Sequence, residues 1–469
     1  MELHEMGAVS LRAAMDGGRV SAADLMASTL ERIGRINPVL NAIVALRDAD
    51  ALMAEARAAD GVPAEARGPL HGLPMAVKDL VGVAGIRSTW GSPILAGNVP
   101  SQDDMLAARL RGAGAILIGK TNTPEFGLGS HSTNPVYGVT ATPYDLARSA
   151  GGSSGGAAAA LAARLVALAD GSDMMGSLRN PAAFCNVYGF RPTWGRVPVD
   201  PVGDTFLHQL ATDGPMARNI EDLALLLEVL AVPDARLPHG RPAEPFRAAL
   251  DVAPGPLRIG WLGDWGGAYP MEDGILSLCS NALAGFPDAV VEDVAPPIDA
   301  ARLWQSWITL RSWAVAARLG IFHADPAKRA LLKPAAIWEI ERGLALGAMD
   351  VHRASVIRSE WNAVAAGLFR RFDLLALPSA QVWPFPKGWD WPKSVQGHEM
   401  DTYHRWMEVV VPASLLGLPA LAVPVGFGDA GLPMGVQLIG PRGADAAVLR
   451  AGQVWHGATN WPGRMPPPL

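Results

Sequence analysis

The stretch GGSSGG at residues 151–156 is followed by GSDMMGSLRNP at residues 171–181, with a mainly apolar segment between them. Glycines flank Ser153 and precede Ser177, so the backbone near each serine can adopt conformations that are closed to other residue types. Upstream, a short apolar run ends in Lys78. A lysine and two serines in glycine-rich turns are the parts of a hydrolase that activates its nucleophile without histidine.

Lys78 can serve as a base only when its amine is neutral. Its pKa must then fall from about 10.4 by roughly 2–3, which corresponds to about 3–4 kcal/mol. The apolar sequence PMAV at residues 74–77 predicts a buried strand, and burial lowers a lysine pKa because it disfavours the charged form. For a lysine considered alone, an ion pair with Asp79 or another carboxylate is the alternative, and the two serine turns favour the base.

The two serines suit proton relay and nucleophilic attack. A hydroxyl both donates and accepts, so Ser153 is able to pass a proton from the nucleophile to Lys78. The consecutive amides that could converge on an oxyanion are those of Met174, Met175, Gly176 and Ser177. Considered alone, the first turn also fits a linker or a helix N-terminus, and Ser177 also fits a helix cap.

The composition favours an enzyme with a large core. The chain has 469 residues, 49% of them hydrophobic and 18% charged, which argues against long disordered tails. A formal net charge of −6 and the lack of a Lys/Arg run argue against nucleic-acid binding. The histidines show no metal-ligand spacing, so we expect no metal and no other cofactor.

The N-terminus and the apolar segments favour a cytoplasmic location. Residues 1–5, MELHE, lack the basic and apolar regions of a secretory signal. The most apolar stretch, residues 157–168, is interrupted by Arg164 and is too short to span a bilayer. Cys185 and Cys279 are predicted to be core thiols, since two cysteines make no disulfide framework.

Apolar runs that alternate with helical patterns predict an α/β fold. Ser21 and Asp24 predict a capping box for a helix that stops at Asn37-Pro38. A second helix is expected at residues 155–169, with residues 166–168 as the segment that could lead into a strand. Asn219 is expected to cap a third helix over residues 220–230. The runs interpreted as buried strands are residues 74–77, 116–118, 257–262, 374–377, 421–425 and 435–439.

The segment GAILIGKT at residues 114–121 matches the phosphate-binding loop pattern. That loop requires small residues whose amides surround a phosphate between a strand and a helix. Here the intervening residues are typical of a strand, and Pro124 disfavours a helical conformation at the residue before it. We therefore predict a strand and no nucleotide site.

Together the motifs resemble the amidase signature family. The resemblance rests on HGLPMAVKD at residues 71–79 and on the two serine turns, and it is supported by GKTN at 119–122, GPMAR at 214–218 and LPMGVQ at 432–437. It covers nearly the whole chain and is weakest between residues 240 and 405. The resemblance implies an α/β fold in which a large, mixed, twisted β-sheet core is covered by helices on both faces.

The resemblance also implies a role for each motif residue. Ser177 would be the acylated nucleophile, Ser153 the bridging serine with a cis peptide bond to Gly152, and Lys78 the base. The amides of residues 174–177 would form the oxyanion hole. The residues implied to support this triad are Ser154, Asp173 and Arg179. Those implied to line the acyl pocket are Gly127, Leu128, Gly129, Ser130 and His131.

Met175 departs from the family pattern, which usually has glycine at this position. The backbone donor is kept, but a methionine cannot freely adopt a positive φ. The form MMGS is similar to a subgroup that includes carbamate-cleaving urethanases, and adjacent methionines offer an adaptable apolar wall. An aryl amide or a carbamate is the substrate that this implies.

We expect one amidase-signature domain over residues 1–469. Its expected parts are N-terminal helices (1–65), a signature catalytic core (66–232), a variable tryptophan-rich helical region (233–405) and a return to the core sheet (406–469). The tryptophans expected to pack within helices are Trp304, Trp307, Trp313, Trp338 and Trp361. The proline-rich segment 383–391 is expected to form a pocket rim, a lid or an interface.

The function predicted is hydrolysis of C–N bonds in small hydrophobic amides, carbamates or esters through an acyl-enzyme on Ser177. One alternative is the amidase-like component of a glutamine-dependent tRNA amidotransferase, and another is a catalytically silent binding protein. The expected partners are the small-molecule substrate and water, without nucleic acid or a membrane span, and a homodimer is left open.

Overall fold

The computed structural model describes residues 2–252 and 254–469. Its helices are α1 (Ala8–Asp16), α2 (Ala22–Leu40), α3 (Ala49–Asp60), α4 (Met105–Gly112), α5 (Gly155–Ala162), α6 (Arg179–Phe184), α7 (Ile220–Leu230), α8 (Phe246–Ala249), α9 (Ile275–Ala284), α10 (Ala300–His323), α11 (Pro326–Arg329), α12 (Pro334–Leu344), α13 (Ala348–Leu368), α14 (Val411–Leu416), α15 (Asp445–Thr459) and α16 (Trp461–Arg464). Its strands are β1 (Ile43–Val44), β2 (Pro74–Lys78), β3 (Ile116–Thr121), β4 (Thr133–Asn134), β5 (Gly138–Val139), β6 (Ala141–Thr142), β7 (Asp145–Ser149), β8 (Leu168–Asp173), β9 (Tyr188–Arg191), β10 (Thr212–Ala217), β11 (Leu257–Trp261), β12 (Ala289–Asp293), β13 (Leu374–Pro378), β14 (Ser394–Val395), β15 (His398–Glu399), β16 (Ala420–Phe427) and β17 (Pro433–Ile439).

A mixed eight-stranded sheet forms the core, with the strand order β12-β11-β13-β17-β16-β9-β10-β8. Strand β11 pairs in parallel with β12 and β13, and the other neighbours pair antiparallel. Helices α5, α6, α7, α9 and α15 pack against its strands. The fold is therefore the helix-covered mixed sheet that the sequence predicts, and the predicted buried strands at 257–262, 374–377, 421–425 and 435–439 lie in it.

A smaller sheet, in the order β1-β3-β2, delivers Lys78 to the site. Strands β2 and β3 are parallel, and Lys78 is the last residue of β2, paired with Thr121. Strand β2 also contacts β8 of the large sheet. The end of β2 therefore lies beside the end of β8, from which the turn that carries Ser177 departs.

Two predicted helix ends are wrong. Helix α2 continues through Pro38 to Leu40 and ends where Asn41 turns left-handed at φ 53°. Pro38 removes only one backbone donor in the last turn, which the rest of the helix tolerates. Helix α5 ends at Ala162 and not at residue 169, because Arg164 adopts a left-handed φ of 59° before β8 begins.

Other local predictions are confirmed. Ser21 and Asp24 form the expected capping box at the start of α2. The Asn219 side chain accepts from the amide of Asp222 and caps α7. Both cysteines are buried free thiols.

The segment that matched the phosphate-loop pattern is strand β3. Its Lys120 is buried, and Nζ donates to the carbonyl of Val81.

Of the tryptophans expected in helices, Trp304, Trp307 and Trp361 are buried, while Trp338 is 37% exposed. Among the helices described, none combines the length and apolarity needed to cross a bilayer.

Candidate active site

The side chain of Lys78 is buried among hydroxyl groups. Its Nζ lies 2.7 Å from Oγ of Ser153, 2.8 Å from Oγ of Ser154 and 2.9 Å from Oγ of Ser172. Among the residues that the structure describes, no carboxylate oxygen lies within the 4.0 Å ion-pair distance of Nζ. The alternative considered from the sequence, an ion pair with Asp79, is therefore not formed, since Asp79 instead accepts from Thr89.

This environment makes the ammonium of Lys78 unusually acidic. Burial lowers its pKa from 10.5 to about 7, although Asp170, Asp213 and Asp173 act at longer range to raise it. Near neutral pH a large fraction of Lys78 is then unprotonated and able to accept a proton from a hydroxyl.

Asp170 anchors the lysine through the backbone. Its carboxylate oxygens accept from the amide of Lys78 at 3.0 and 3.3 Å. Neither Asp170 nor Ser172 was identified as a site residue from the sequence. The signal that could have found them is their place in the same strand, β8, directly before Asp173.

The turn around Ser153 is closely packed, and the Gly152–Ser153 peptide bond is cis. Oγ of Ser130 donates to the carbonyl of Gly152 at 2.5 Å and accepts from its amide at 3.2 Å. A Cβ on Gly152 would lie 2.9 Å from the amide nitrogen of His131, and a Cβ on Gly155 would lie 2.4 Å from Oγ of Ser132. Close approach of neighbouring chain segments therefore requires these glycines.

Ser177 lies in the turn between β8 and α6. Gly176 precedes it with φ 77°, in the left-handed region that favours glycine. The carbonyl of Ser177 accepts from the amide of Ser154 at 3.2 Å, which joins the two serine turns. Ser153 and Ser177 line the same cavity, and within the described chain their hydroxyls form no direct hydrogen bond to each other.

The four amides implied for the oxyanion hole differ in their partners. The amide of Gly176 donates to Oδ1 of Asp173 at 2.9 Å and is therefore engaged. The amides of Met174, Met175 and Ser177 have no acceptor among the described residues. Met175 fits the turn without a positive φ and is buried.

Asp173 is the centre of a buried ion cluster beneath this turn. Arg179 approaches it with Nη2 at 3.0 Å from Oδ1 and Nε at 3.0 Å from Oδ2, and Nη1 of Arg191 lies 3.1 Å from Oδ1. Burial alone would raise the pKa of Asp173, but the two guanidinium groups hold it well below its usual range. The cluster keeps the turn fixed, because Asp173 also accepts from the amides of Gly176 and Leu178.

A cavity opens over the two serines. Its empty volume is about 660 Å³, including the open solvent at its mouth. Around the serines its wall is mainly apolar, and the apolar residues that line it are Leu80, Phe126, Leu128, Met174, Met175, Ala211, Ala314, Val315, Leu319 and Met407.

Only part of the implied acyl pocket reaches this cavity. Gly127, Leu128 and Gly129 line it. Ser130 instead holds Gly152, as described above, and His131 lies between Oγ of Ser149 and the carbonyl of Lys387, at 2.7 and 3.0 Å. Both side chains are occupied with holding the chain behind the Ser153 turn.

The proline-rich segment 383–391 contributes no residue to the cavity wall, as far as the structure describes it. It lies against β7, where Lys387 donates from its amide to the carbonyl of Ala147. Trp389 is half exposed at the surface. The role of this segment as a pocket rim, a lid or an interface stays a prediction.

Two arginines that the motifs did not indicate line the cavity, Arg311 and Arg318 of α10. Both lie in the region where the motifs are weakest.

Within the described chain, no group of three histidine, cysteine or acidic side chains is arranged to hold a metal ion.

Comparisons with known proteins agree with this geometry. The model of the Amidase family matches residues 24–449. The chain is 31% identical to an acylamidase of Rhodococcus erythropolis, over 99% of this chain and 98% of the relative. It is 36% identical to a component of the glutamyl-tRNA(Gln) amidotransferase of Thermus thermophilus, over 97% of each chain.

Among solved structures, a bacterial aryl acylamidase of the amidase signature enzymes superposes with a TM-score of 0.92 at 28% identity. The superposition covers 100% of this chain and 99% of that one. The family match, the relatives and the fold agree, and the chain is therefore an amidohydrolase that belongs to the amidase signature family.

Proposed function

We propose that the protein hydrolyses small, mainly apolar amides through an acyl-enzyme on Ser177. The observation that carries this proposal is the position of Lys78, a buried amine with three hydroxyls and no carboxylate in direct contact. A buried lysine can also be held by a carbonyl, as Lys120 is by that of Val81, but a carbonyl has no proton to pass on, whereas a hydroxyl partner both donates and accepts. A lysine that must be neutral to act as a base needs the environment found here.

In the acylation step, Ser177 attacks the carbonyl carbon of the substrate. Its proton passes to Ser153 while the proton of Ser153 passes to neutral Lys78, so the relay ends with one ammonium. The oxyanion accepts hydrogen bonds from the free amides of Met174, Met175 and Ser177. When the intermediate collapses, the C–N bond breaks, and the proton returns from Lys78 through Ser153 to the leaving amine.

Deacylation repeats the same relay with water as the nucleophile. Water loses a proton through Ser153 to Lys78 and attacks the ester on Ser177. The carboxylic acid leaves, and the relay returns a proton to Oγ of Ser177. Ser154, which lies 2.8 Å from Nζ, and the cluster of Asp173 and Arg179 hold the reacting groups in position.

The wall of the cavity supports an apolar, aryl-sized substrate. Phe126, Leu128, Met174 and Met407 offer apolar surface on several sides of the serines. The same relay serves any carbonyl with a leaving group that accepts a proton, so esters and carbamates fit the proposal alongside amides. A methionine wall adapts to ligands of different shape.

A second candidate is the amidase-like component of a glutamine-dependent tRNA amidotransferase. It is favoured by relatives of that name that are up to 36% identical over nearly the whole chain. In that function the chain would release ammonia from glutamine within a complex. The two candidates differ in whether the isolated chain prefers an aryl amide or glutamine.

The test is hydrolysis by the purified chain and by Ser177→Ala. Mass spectrometry should detect cleavage of anilides, with esters and carbamates assayed in parallel, and a serine-directed fluorophosphonate should label the unaltered protein. We expect S177A to lower kcat/KM by about 10⁴-fold to 10⁶-fold and to abolish labelling, because the nucleophile is lost.

The control is Ser277→Ala, which removes an exposed hydroxyl of α9 that only contacts its own helix. It should keep both activity and labelling. Undiminished anilide hydrolysis by S177A would refute Ser177 as the nucleophile. Turnover of glutamine with none of the anilides would favour the amidotransferase component instead.

A further inference from the structure

Helix α10 presents one face to the cavity. The lining residues that it contributes are Arg311, Ala314, Val315, Arg318 and Leu319. Their spacing of three and four residues places them along one stripe of a helix. A short apolar stretch on this stripe thus separates two guanidinium groups.

The two arginines have very different partners. Arg311 is paired with a carboxylate, since Nε lies 2.7 Å from Oε1 of the buried Glu339, and its Nη2 donates to the hydroxyl of Tyr403 at 2.7 Å. Arg318 forms no hydrogen bond and no ion pair within 4.0 Å with any residue that the structure describes. Its guanidinium lies over the ring of Trp90, 4.9 Å from the centroid, and the residue is exposed at the cavity.

The carboxylates nearest to Arg318 leave its donors free. Asp213 and Asp104 act on it at a distance, and neither comes within 4.0 Å of its nitrogens. Asp104 is itself engaged, because it accepts from the amide of Gly82. A planar guanidinium with free N–H groups is shaped to bind a carboxylate through two parallel hydrogen bonds.

The contact with the Trp90 ring holds the guanidinium of Arg318 at the cavity wall. The residues that line the cavity together with Arg318 and the serines are mainly apolar, and Val315 of α10 and Phe126 are among them. A ligand that satisfies both features has an apolar body and an anionic group at the end remote from the bond that is cut.

We propose that Arg318 determines specificity by binding a carboxylate of the substrate, so that amides with an apolar body and a carboxylate are preferred to their neutral isosteres. This inference rests on the proposed function, because it concerns the substrate of the same site. It adds to that function a charged recognition element that the mainly apolar wall alone would not predict.

Two pairs of substrates test this proposal. Succinanilate and 3-nitro-N-phenylpropanamide differ by a carboxylate and a neutral nitro group of the same shape on the acyl half. The compounds 4-acetamidobenzoate and 4-nitroacetanilide differ in the same way on the amine half. Within each pair, we take the ratio of kcat/KM for the carboxylate compound to kcat/KM for the nitro compound. This ratio is compared between protein variants, so that the different intrinsic reactivities of the two substrates cancel.

We expect Arg318→Met to lower this ratio by about 10-fold to 100-fold in at least one pair, as a charge-assisted bidentate contact is lost. Turnover of the neutral member should stay within about threefold. Arg318→Lys should retain part of the preference, because it keeps the charge without the fork. The control Arg302→Met, on the same helix in an exposed ion pair with Glu360, should leave both ratios unchanged.

Binding is measured separately by calorimetry of succinanilate and 4-acetamidobenzoate with S177A and with S177A that also carries R318M. Weaker binding of either compound to the double variant than to S177A supports the proposal, even if no anilide is turned over. The absence of anilide turnover would refute only the proposed function. Turnover of the neutral anilides with unchanged ratios in both pairs overturns the role of Arg318 and leaves the hydrolase intact.

Discussion

Two buried cationic regions lie side by side in this protein, and their cationic groups have different kinds of partner. Around Asp173, the guanidinium groups of Arg179 and Arg191 share one carboxylate at 3.0 and 3.1 Å, with all three side chains fully buried. Around Lys78, three hydroxyls take the place of a carboxylate. The pKa of Asp173 is held well below its usual range, whereas burial lowers that of Lys78 to about 7.

The difference separates a charge that holds the fold from a group that exchanges protons. Paired ions remain charged at every physiological pH and therefore fix geometry. A buried amine without an ion-pair partner lies close to the balance between its two protonation states, which is the condition for a general base. Substitutions in the two regions should therefore have different consequences.

The largest effect is expected from Lys78→Met. The variant lacks the proton acceptor of the relay, so kcat/KM for an anilide should fall by about 10⁴-fold or more. Its far-UV circular dichroism should match that of the unaltered protein, because no ion pair is broken. Activity above about one hundredth of the original value would contradict the role of Lys78 as the base.

Asp173→Asn should instead lower stability. Two buried guanidinium groups would lose their carboxylate, which costs about 3–5 kcal/mol in the free energy of unfolding. Urea denaturation measures this loss, and D145N, which breaks the partly exposed pair of Asp145 and Arg148, serves as the control with little expected change. A D173N protein as stable as the control would show that the cluster does not hold the turn.

The smallest effect is a pH dependence of stability that belongs to Lys78 alone. Between pH 7 and about 10.4 the unfolded chain binds a proton at this lysine and the folded chain does not. The free energy of unfolding of the unaltered protein should therefore rise with pH relative to that of K78M, by up to about 1.4 kcal/mol per pH unit. Urea denaturation of both proteins at pH 7, 8 and 9 measures the difference, and parallel pH dependences would refute the lowered pKa.

The motifs predicted more of the site than of its surroundings. Lys78, Ser153 and Ser177 come from short segments whose residue types are dictated by chemistry and close packing. The structure places Ser153 and Ser177 at one cavity, with Nζ of the buried Lys78 2.7 Å from Oγ of Ser153. Their roles remain proposals. The partners Asp170 and Ser172 were missed because their function depends on which side of β8 faces Lys78, and that follows from pairing with distant strands.

The cavity wall was harder to predict, for a physical reason. The stripe on α10 that includes Val315 and Leu319 has the spacing of an ordinary core-facing helix. Only the tertiary structure shows that this stripe faces the cavity. It also shows that Arg318 reaches the cavity without a hydrogen bond or an ion pair to any described residue. Conversely, Ser130 and His131 lie next to pocket residues in sequence but are drawn behind the Ser153 turn by hydrogen bonds.

Arg179 has a consequence for biosynthesis. Besides Asp173, it donates to the carbonyl of Val410, to Ser414 and to Gln437. A growing polypeptide that has emerged from the ribosome only as far as residue 400 already contains Lys78 and both serines, yet lacks these three acceptors. Hydrolytic competence should therefore arise late in translation, when the C-terminal strands dock, so that incomplete chains remain inert.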